Sequence, residues 1–303
     1  MTAQLVLFAD ALVRSVPLIL TGLAVALAFR AGVFNLGAEG QFLVGAAAAA
    51  ATSIKLQFLP GFVSLAVALC MGALAGGLWA AVAAELRRRF HILEIISTIM
   101  LNFVALYLIS FLVRGPLQEP THIYPQTESI PTNTQLPIIA SGTRLHAGII
   151  IAIIVAFFLH WLFKNTAVGF RIRATGASPY AARSAGMVNV ERLSWYVFLW
   201  SGAIAGLAGA IEVNGVTFAL YENISPGYGY TAIAVALIAG LNPLAIVGSG
   251  IFFGALETGA SALQRDFAIP SSIAGMIEAM LILATLTVAS VRNRSIGFGG
   301  LRR

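Results

Sequence analysis

The chain has 303 residues, 59% of them hydrophobic and 10% charged, with a mean hydropathy of +0.90. Soluble globular domains carry about 25% charged residues, so this composition excludes that class and places the chain in lipid. The net charge of +6 is informative here through its distribution among loops and gives no ground for a nucleic-acid partner; the lone Cys70 excludes an internal disulfide.

Apolar runs long enough to cross roughly 30 Å of hydrocarbon lie near 8–29, 38–58, 61–84, 95–113, 147–163, 194–213, 243–263 and 271–291, with a shorter one at 230–241. They predict an all-α polytopic membrane protein of about nine spans, with a range of eight to ten, forming one transmembrane domain over residues 1–303. The first run has no basic segment before it and no Ala-x-Ala site after it, so it reads as a retained span. Basic clusters at Arg87–Arg89, at Lys164, Arg171, Arg173, Arg183 and Arg192, and at Arg292, Arg294, Arg302 and Arg303 mark the cytoplasmic face. The loop 114–146 is then extracytoplasmic, the loop 164–193 cytoplasmic, the C-terminus cytoplasmic and the N-terminus outside. On that count the run 230–241 must cross or nearly cross.

The first interruption is Gly32-Val-Phe-Asn-Leu-Gly-Ala-Glu-Gly-Gln41, where Asn35, Glu39 and Gln41 sit on a glycine-rich break between apolar runs. Broken helices expose backbone groups that lipid forbids and a polar cavity permits, so these three residues are substrate-pathway candidates. The alternative for Glu39 is a cap that satisfies backbone amides. Thr21-Gly-Leu-Ala-Val-Ala-Leu27 also matches Thr231-Ala-Ile-Ala-Val-Ala-Leu237, whose interruption, Gly240-Leu241-Asn242-Pro243, adds Asn242 to the candidates. Either this is a repeated broken segment or two alanine-rich helices look alike.

Ser178-Pro179-Tyr180-Ala181-Ala182-Arg183-Ser184-Ala185-Gly186 reads as a short helix with both ends marked: Ser178 as N-cap, Pro179 in the first turn, Gly186 in the left-handed closing position. A capped helix on a basic loop implies a docking partner. Glu212, Glu257 and Glu278 fall in apolar runs, where an ionisable group is costly, and are either site residues or carboxylates bonded to a neighbouring helix. Trp195, Tyr196, Phe198, Trp200, Phe218, Tyr221, Tyr228 and Tyr230 offer faces for a planar solute, or an aromatic belt at the membrane edge. Gly202-x-x-x-Gly206 and Gly250-x-x-x-Gly254 predict close helix packing. There is no phosphate loop, no metal-ligand spacing among the four histidines and no Gly-x-Ser-x-Gly elbow, so an enzyme is not expected and no metal or cofactor site is found.

The break at Gly32–Gln41, Gly169-Phe-Arg-Ile-Arg-Ala-Thr-Gly176 leading into Pro179–Gly186, the run Ser201–Ala210, and Gly227–Leu237 followed by Leu241-Asn242-Pro243 together resemble the permease subunits of ABC importers. Within these the chain is similar to the branched-chain amino acid, ribose and nucleoside permease superfamily, most closely its nucleoside or simple-sugar branch, from about residue 15 to 290. The resemblance implies a bacterial inner-membrane permease that works by alternating access, with ATP bound on a separate ATPase subunit, a second related permease and an extracytoplasmic solute-binding protein as partners. It further implies that Ser178, Pro179, Tyr180, Ala181, Ala182, Arg183 and Gly186 couple to the ATPase, although Tyr180-Ala-Ala182 stands where the wider class often has Glu-Ala-Ala. Scarce charge along the pathway favours an uncharged solute, and the resemblance implies a nucleoside first and a pentose second. An ion-coupled carrier with Glu39 or Glu257 as the ion site is the alternative from another class, and it leaves the capped loop without a task.

Overall fold

The computed structural model describes residues 3–186 and 188–267, with single positions between 276 and 287. Most of the expected span 271–291, with Glu278 and the C-terminal arginines, therefore lies outside the described residues. In chain order the helices are α1 (Ala3–Arg30), α2 (Ala38–Lys55), α3 (Gly61–Phe90), α4 (Glu94–Arg114), α5 (Gly148–Asn165), α6 (Ala167–Ala177), α7 (Pro179–Ser184), α8 (Val190–Glu212), α9 (Tyr228–Ile238) and α10 (Pro243–Phe267). Six of them, α1, α3, α4, α5, α8 with its extension to Thr217, and α10, are long and apolar enough to cross a membrane. The chain is an all-α polytopic membrane protein. The expectation of about nine spans also counts α2, α9 and the run 271–291; α9 has 11 residues and rises only about 16 Å, so it does not cross hydrocarbon by itself.

α1 is the central helix, with Val16, Leu18, Ile19, Leu20 and Leu23 wholly buried, whereas α4 and α5 turn Phe103, Phe111, Ile154 and Phe157 outward as lipid-facing residues do. The backbones of α3 and α8 meet where Gly72 and Gly76 face Gly202 and Gly206, and a methyl group on Gly206 would strike the Gly72 carbonyl. Without a hydrophobic drive between helices in lipid, such close backbone contact is what holds them together. Gly250 and Gly254 make the same kind of approach to α1, against Ile19 and against Ala11 and Ser15.

Those contacts also fix direction. Gly22 faces Ile246, Ile19 faces Gly250 and Ser15 faces Gly254, so α10 runs antiparallel to α1. α9 reaches α10 through a tight turn in which Gly240 and Leu241 both have φ +59, and Ser249 Oγ donates to Val235 O at 2.9 Å. α9 is thus antiparallel to α10 and parallel to α1, and the two similar heptapeptides run the same way.

Candidate functional site

α1 ends at a positive-φ glycine, Gly32 (φ +72), with Val33 N–H donating back to Ala28 O (3.1 Å). The backbone then stays non-helical to Gly37 before α2 begins. Val33, Asn35 and Gly37 of this stretch are buried, where an unpaired N–H or C=O would be expensive, and neighbouring side chains replace missing helical bonds. Leu36 N–H donates to Thr98 Oγ1 (3.3 Å), Gly37 N–H to Asn35 Oδ1 (2.9 Å) and Gly40 N–H to Asn102 Oδ1 (2.9 Å), while Asn102 Nδ2 donates to Leu36 O (2.9 Å).

Asn35 and Gln41 form a reciprocal amide pair: Asn35 Nδ2 donates to Gln41 Oε1 (3.0 Å) and Gln41 Nε2 to Asn35 Oδ1 (2.9 Å). Asn35 Nδ2 also donates to Ser201 Oγ (2.9 Å), whose own hydroxyl donates to Ala24 O (2.7 Å). The break is thereby tied to α1, α4 and α8 at once. Glu39 is 6% exposed, and its Oε2 accepts from Gly229 N–H (2.7 Å), with the Ser225 hydroxyl on the same carboxylate. The Glu39 carboxylate thus caps α9 rather than its own helix, at the buried, positive end of a short helix. Tyr228 packs edge-to-face on Phe42 beside it (ring centroids 5.7 Å), and Tyr230 OH accepts from Asn102 Nδ2 (3.3 Å).

The structure brings Asn35, Glu39 and Gln41 together and leaves Asn242 apart. Asn242 is exposed and caps α10, its Oδ1 accepting from Leu244 N–H (3.2 Å). Thr98, Asn102, Ser201 and Gly229 complete the cluster and were not singled out from sequence. Thr98 and Asn102 did carry a signal, two polar residues four apart in a largely apolar helix; Ser201, at the head of a run of small residues, carried none of its own. Glu257 lies 4.0 Å from Arg14 across the α1–α10 contact, and Glu212 is buried where α8 loosens into a π-helical turn, Val213–Thr217. In that turn Asn214 Nδ2 donates to Ala210 O (2.9 Å) and Oδ1 accepts from Ser53 Oγ (2.7 Å).

The segment between α4 and α5 covers this end of the bundle. Thr127, Ile130 and Leu136 N–H donate to Leu220 O, Phe218 O and Asn214 O at 2.9, 2.7 and 2.8 Å. Glu222 accepts a two-point contact from Arg114 (2.7 and 2.9 Å) and a hydrogen bond from Ser110. Those donors hold its carboxyl down at about 2. His146 is buried, its Nδ1 accepting from Gly148 N–H (3.1 Å); burial, with the Arg144 charge, pushes its pKa down to about 4.

At the opposite end, Ser178 Oγ accepts from Ala181 N–H (3.2 Å) to start α7, and Gly186 closes the turn at φ +65. Tyr180 is 83% exposed, while Ala182 is 3% exposed and packed against the rest of the chain. Arg183 is bonded to Glu191 (3.2 Å) with both side chains largely in solvent. Just before α7, Gly176 lies backbone to backbone against α1: a Cβ there would strike Arg30 O, and a Cβ on Gly32 would come within 3.3 Å of Gly176 Cα. The surface helix and the buried break are therefore joined through one contact.

The comparisons say what a helix bundle with this polar break and capped surface helix is similar to. The family described as "Branched-chain amino acid transport system / permease component" matches residues 7–286. The chain belongs to that family. It is a multi-pass plasma-membrane permease component of the ABC type, and not an enzyme. The chain is similar to the guanosine ABC transporter permease protein NupP of Bacillus subtilis, 36% identical over 280 residues that cover 91% of this chain and 80% of the relative. It is also similar to the glucose ABC transporter permease protein TsgB13 of Haloferax volcanii, 34% identical over 304 residues, covering 97% and 80%. A second guanosine ABC transporter permease protein of Bacillus subtilis, NupQ, is 28% identical over 255 residues, covering 80% of this permease and 78% of the relative. No solved structure matches this permease.

Proposed function

We propose that this permease moves a nucleoside inward, with a simple sugar as the alternative substrate. The likeness to guanosine permeases supports the first and the likeness to a glucose permease the second. ATP is hydrolysed on a separate ATPase subunit, a solute-binding protein delivers substrate from outside, and a second, related permease completes the pathway. Likeness to both guanosine permease proteins of one organism supports such a pairing. The segment 114–146 faces the exterior and 164–193 the cytoplasm.

The observation that carries the mechanism is the contact of Gly176 with Arg30 and Gly32. α7 docks on the ATPase through its outward residues, Tyr180 above all, while Ser178 and Gly186 hold its ends and Ala182 fastens it to the permease. Movement of α7 passes through Gly176 to the end of α1 and so to the break at 31–37, where Asn35, Gln41 and Glu39 hold the backbone beside the pathway. A rigid contact between two docked elements is how a small displacement shifts a packed core from one arrangement to another.

The test is uptake of labelled guanosine, glucose and pentose in cells expressing this permease with its proposed ATPase partner, with and without substitution of the Walker lysine in that ATPase. Uptake that is lost with the lysine and competed by unlabelled nucleosides is expected. Uptake that persists without the lysine returns the ion-coupled carrier, and competition by sugars alone moves the substrate to the alternative. Tyr180→Ala and Gly176→Val are expected to abolish uptake while ATP is still hydrolysed.

A further inference from the structure

Glu212 is 5% exposed, and its carboxyl makes no hydrogen bond or ion pair among the described residues. Inside a membrane protein such a group is costly unless something answers it. It stands at the end of α8, where the helix opens into the π-helical turn Val213–Thr217, a distortion frequent at functional sites. Glu212 follows Ser201 by eleven residues, three turns of helix and a rise of about 16 Å. It therefore shares the face of α8 that holds Asn35 through Ser201.

Tyr228 offers a second polar group of the same kind. The residue is buried, its hydroxyl makes no hydrogen bond among the described residues, and it lies within electrostatic reach of Glu212 and Glu257. Its ring is fixed on Phe42 and the next residue, Gly229, is held by Glu39, so this pair of groups adjoins the polar break. The charge around Glu212 is balanced. Glu257 is the other carboxyl; against the two stand Arg14, 4.0 Å from Glu257, and Arg144, which donates to Val216 O (3.3 Å). Two carboxyls facing two guanidinium groups need no added cation. What Glu212 needs is a neutral partner that forms hydrogen bonds.

We propose that Glu212 and the Tyr228 hydroxyl recognise a vicinal diol of the transported solute. This rests on the nucleoside-or-sugar reading above and names the group that both substrates carry, on the ribose of one and the ring of the other. The side-by-side oxygens of a carboxyl match two adjacent hydroxyls, and a phenol can give or take a further hydrogen bond. Such a site rejects a solute that lacks the diol, because its own buried polar groups then stay unpaired.

The test measures binding to the assembled permease complex purified without a solute-binding protein, so that the selectivity is the permease's own. Equilibrium dialysis compares guanosine with 2′,3′-dideoxyguanosine, which keeps the base, and glucose with 2,3-dideoxyglucose. In wild type, loss of the diol is expected to weaken binding about tenfold or more for the substrate that binds. In Glu212→Leu that ratio is expected to fall to about one, with Tyr228→Phe, which keeps the ring on Phe42, in between. Glu212→Leu is expected to melt no lower than wild type, because it breaks no hydrogen bond within the protein. The same ratio in wild type and Glu212→Leu overturns the proposal, and so does a clear drop in melting temperature, which gives Glu212 to the scaffold. Failure of the underlying reading looks different: wild type then binds neither guanosine nor glucose, and the proposal falls with it.

Discussion

The two interruptions that follow the similar heptapeptides of α1 and α9 are built in opposite ways. After α1 the chain re-enters the bundle in a non-helical form, and the Leu36, Gly37 and Gly40 N–H groups and the Leu36 carbonyl are answered by Thr98, Asn35 and Asn102 side chains. After α9 the chain turns sharply at Gly240 and Leu241, and its asparagine stays exposed as a simple helix cap. The difference is one of surroundings. A break inside the bundle needs partners from α4 and α8, whereas one at the edge needs only a turn and a cap, so similar neighbouring helices do not make the two asparagines equivalent.

The largest effect that tests this contrast is expected from Asn35→Ala. It removes the reciprocal pair with Gln41 and the contacts to Ser201 and Gly37, leaving several buried polar groups unanswered, with each costing about 1–3 kcal/mol. A loss of about 3 kcal/mol or more in detergent unfolding is expected, with poor assembly of the complex; a variant as stable as wild type would break the account of the cluster as a scaffold. Next comes Glu39. Glu39→Ala removes the acceptor for Gly229 N–H and is expected to cost about 1–3 kcal/mol, while Glu39→Gln keeps an oxygen at that position and should lose less. Limited proteolysis of the 218–227 segment separates the two.

Acidification gives a third comparison, between buried and exposed groups over the same end of the bundle. His146 is held neutral in the fold down to about pH 4, whereas in the unfolded chain it takes a proton near 6.5. The unfolded state therefore binds more protons between those values, so stability is full above about 6.5 and falls as pH drops to about 4. His146→Gln is expected to flatten that part of the curve. The Glu222 carboxylate, held to about 2 by Arg114 and Ser110, contributes stability that is lost only as pH falls from about 4.5 toward 2, and the exposure of its Arg114 partner keeps the contribution small. The smallest effect belongs to the second interruption: Asn242→Ala removes an exposed N-cap, and a loss of about 1 kcal/mol is expected. If it equals the loss from Asn35→Ala, the contrast between the two breaks fails.

Much of this was legible in the chain. The helix at Pro179–Ser184, its Ser178 cap and the left-handed Gly186 follow from local rules, because capping chemistry acts within four residues. Composition and long apolar runs likewise determine a polytopic membrane protein, since lipid leaves no other place for such runs. Which side chains answer the break at 31–37 was not legible: Asn35 and Ser201 are 166 residues apart, and Glu39 and Gly229 are 190 apart. Nor did the sequence give the inward face of Ala182 or the backbone contact of Gly176 with Arg30. By itself the sequence determined where helices form and where they are interrupted, because periodicity, capping and hydropathy are local. Only the tertiary structure decided which interruption is buried and what satisfies it, because hydrogen bonds between helices depend on packing that brings distant segments together.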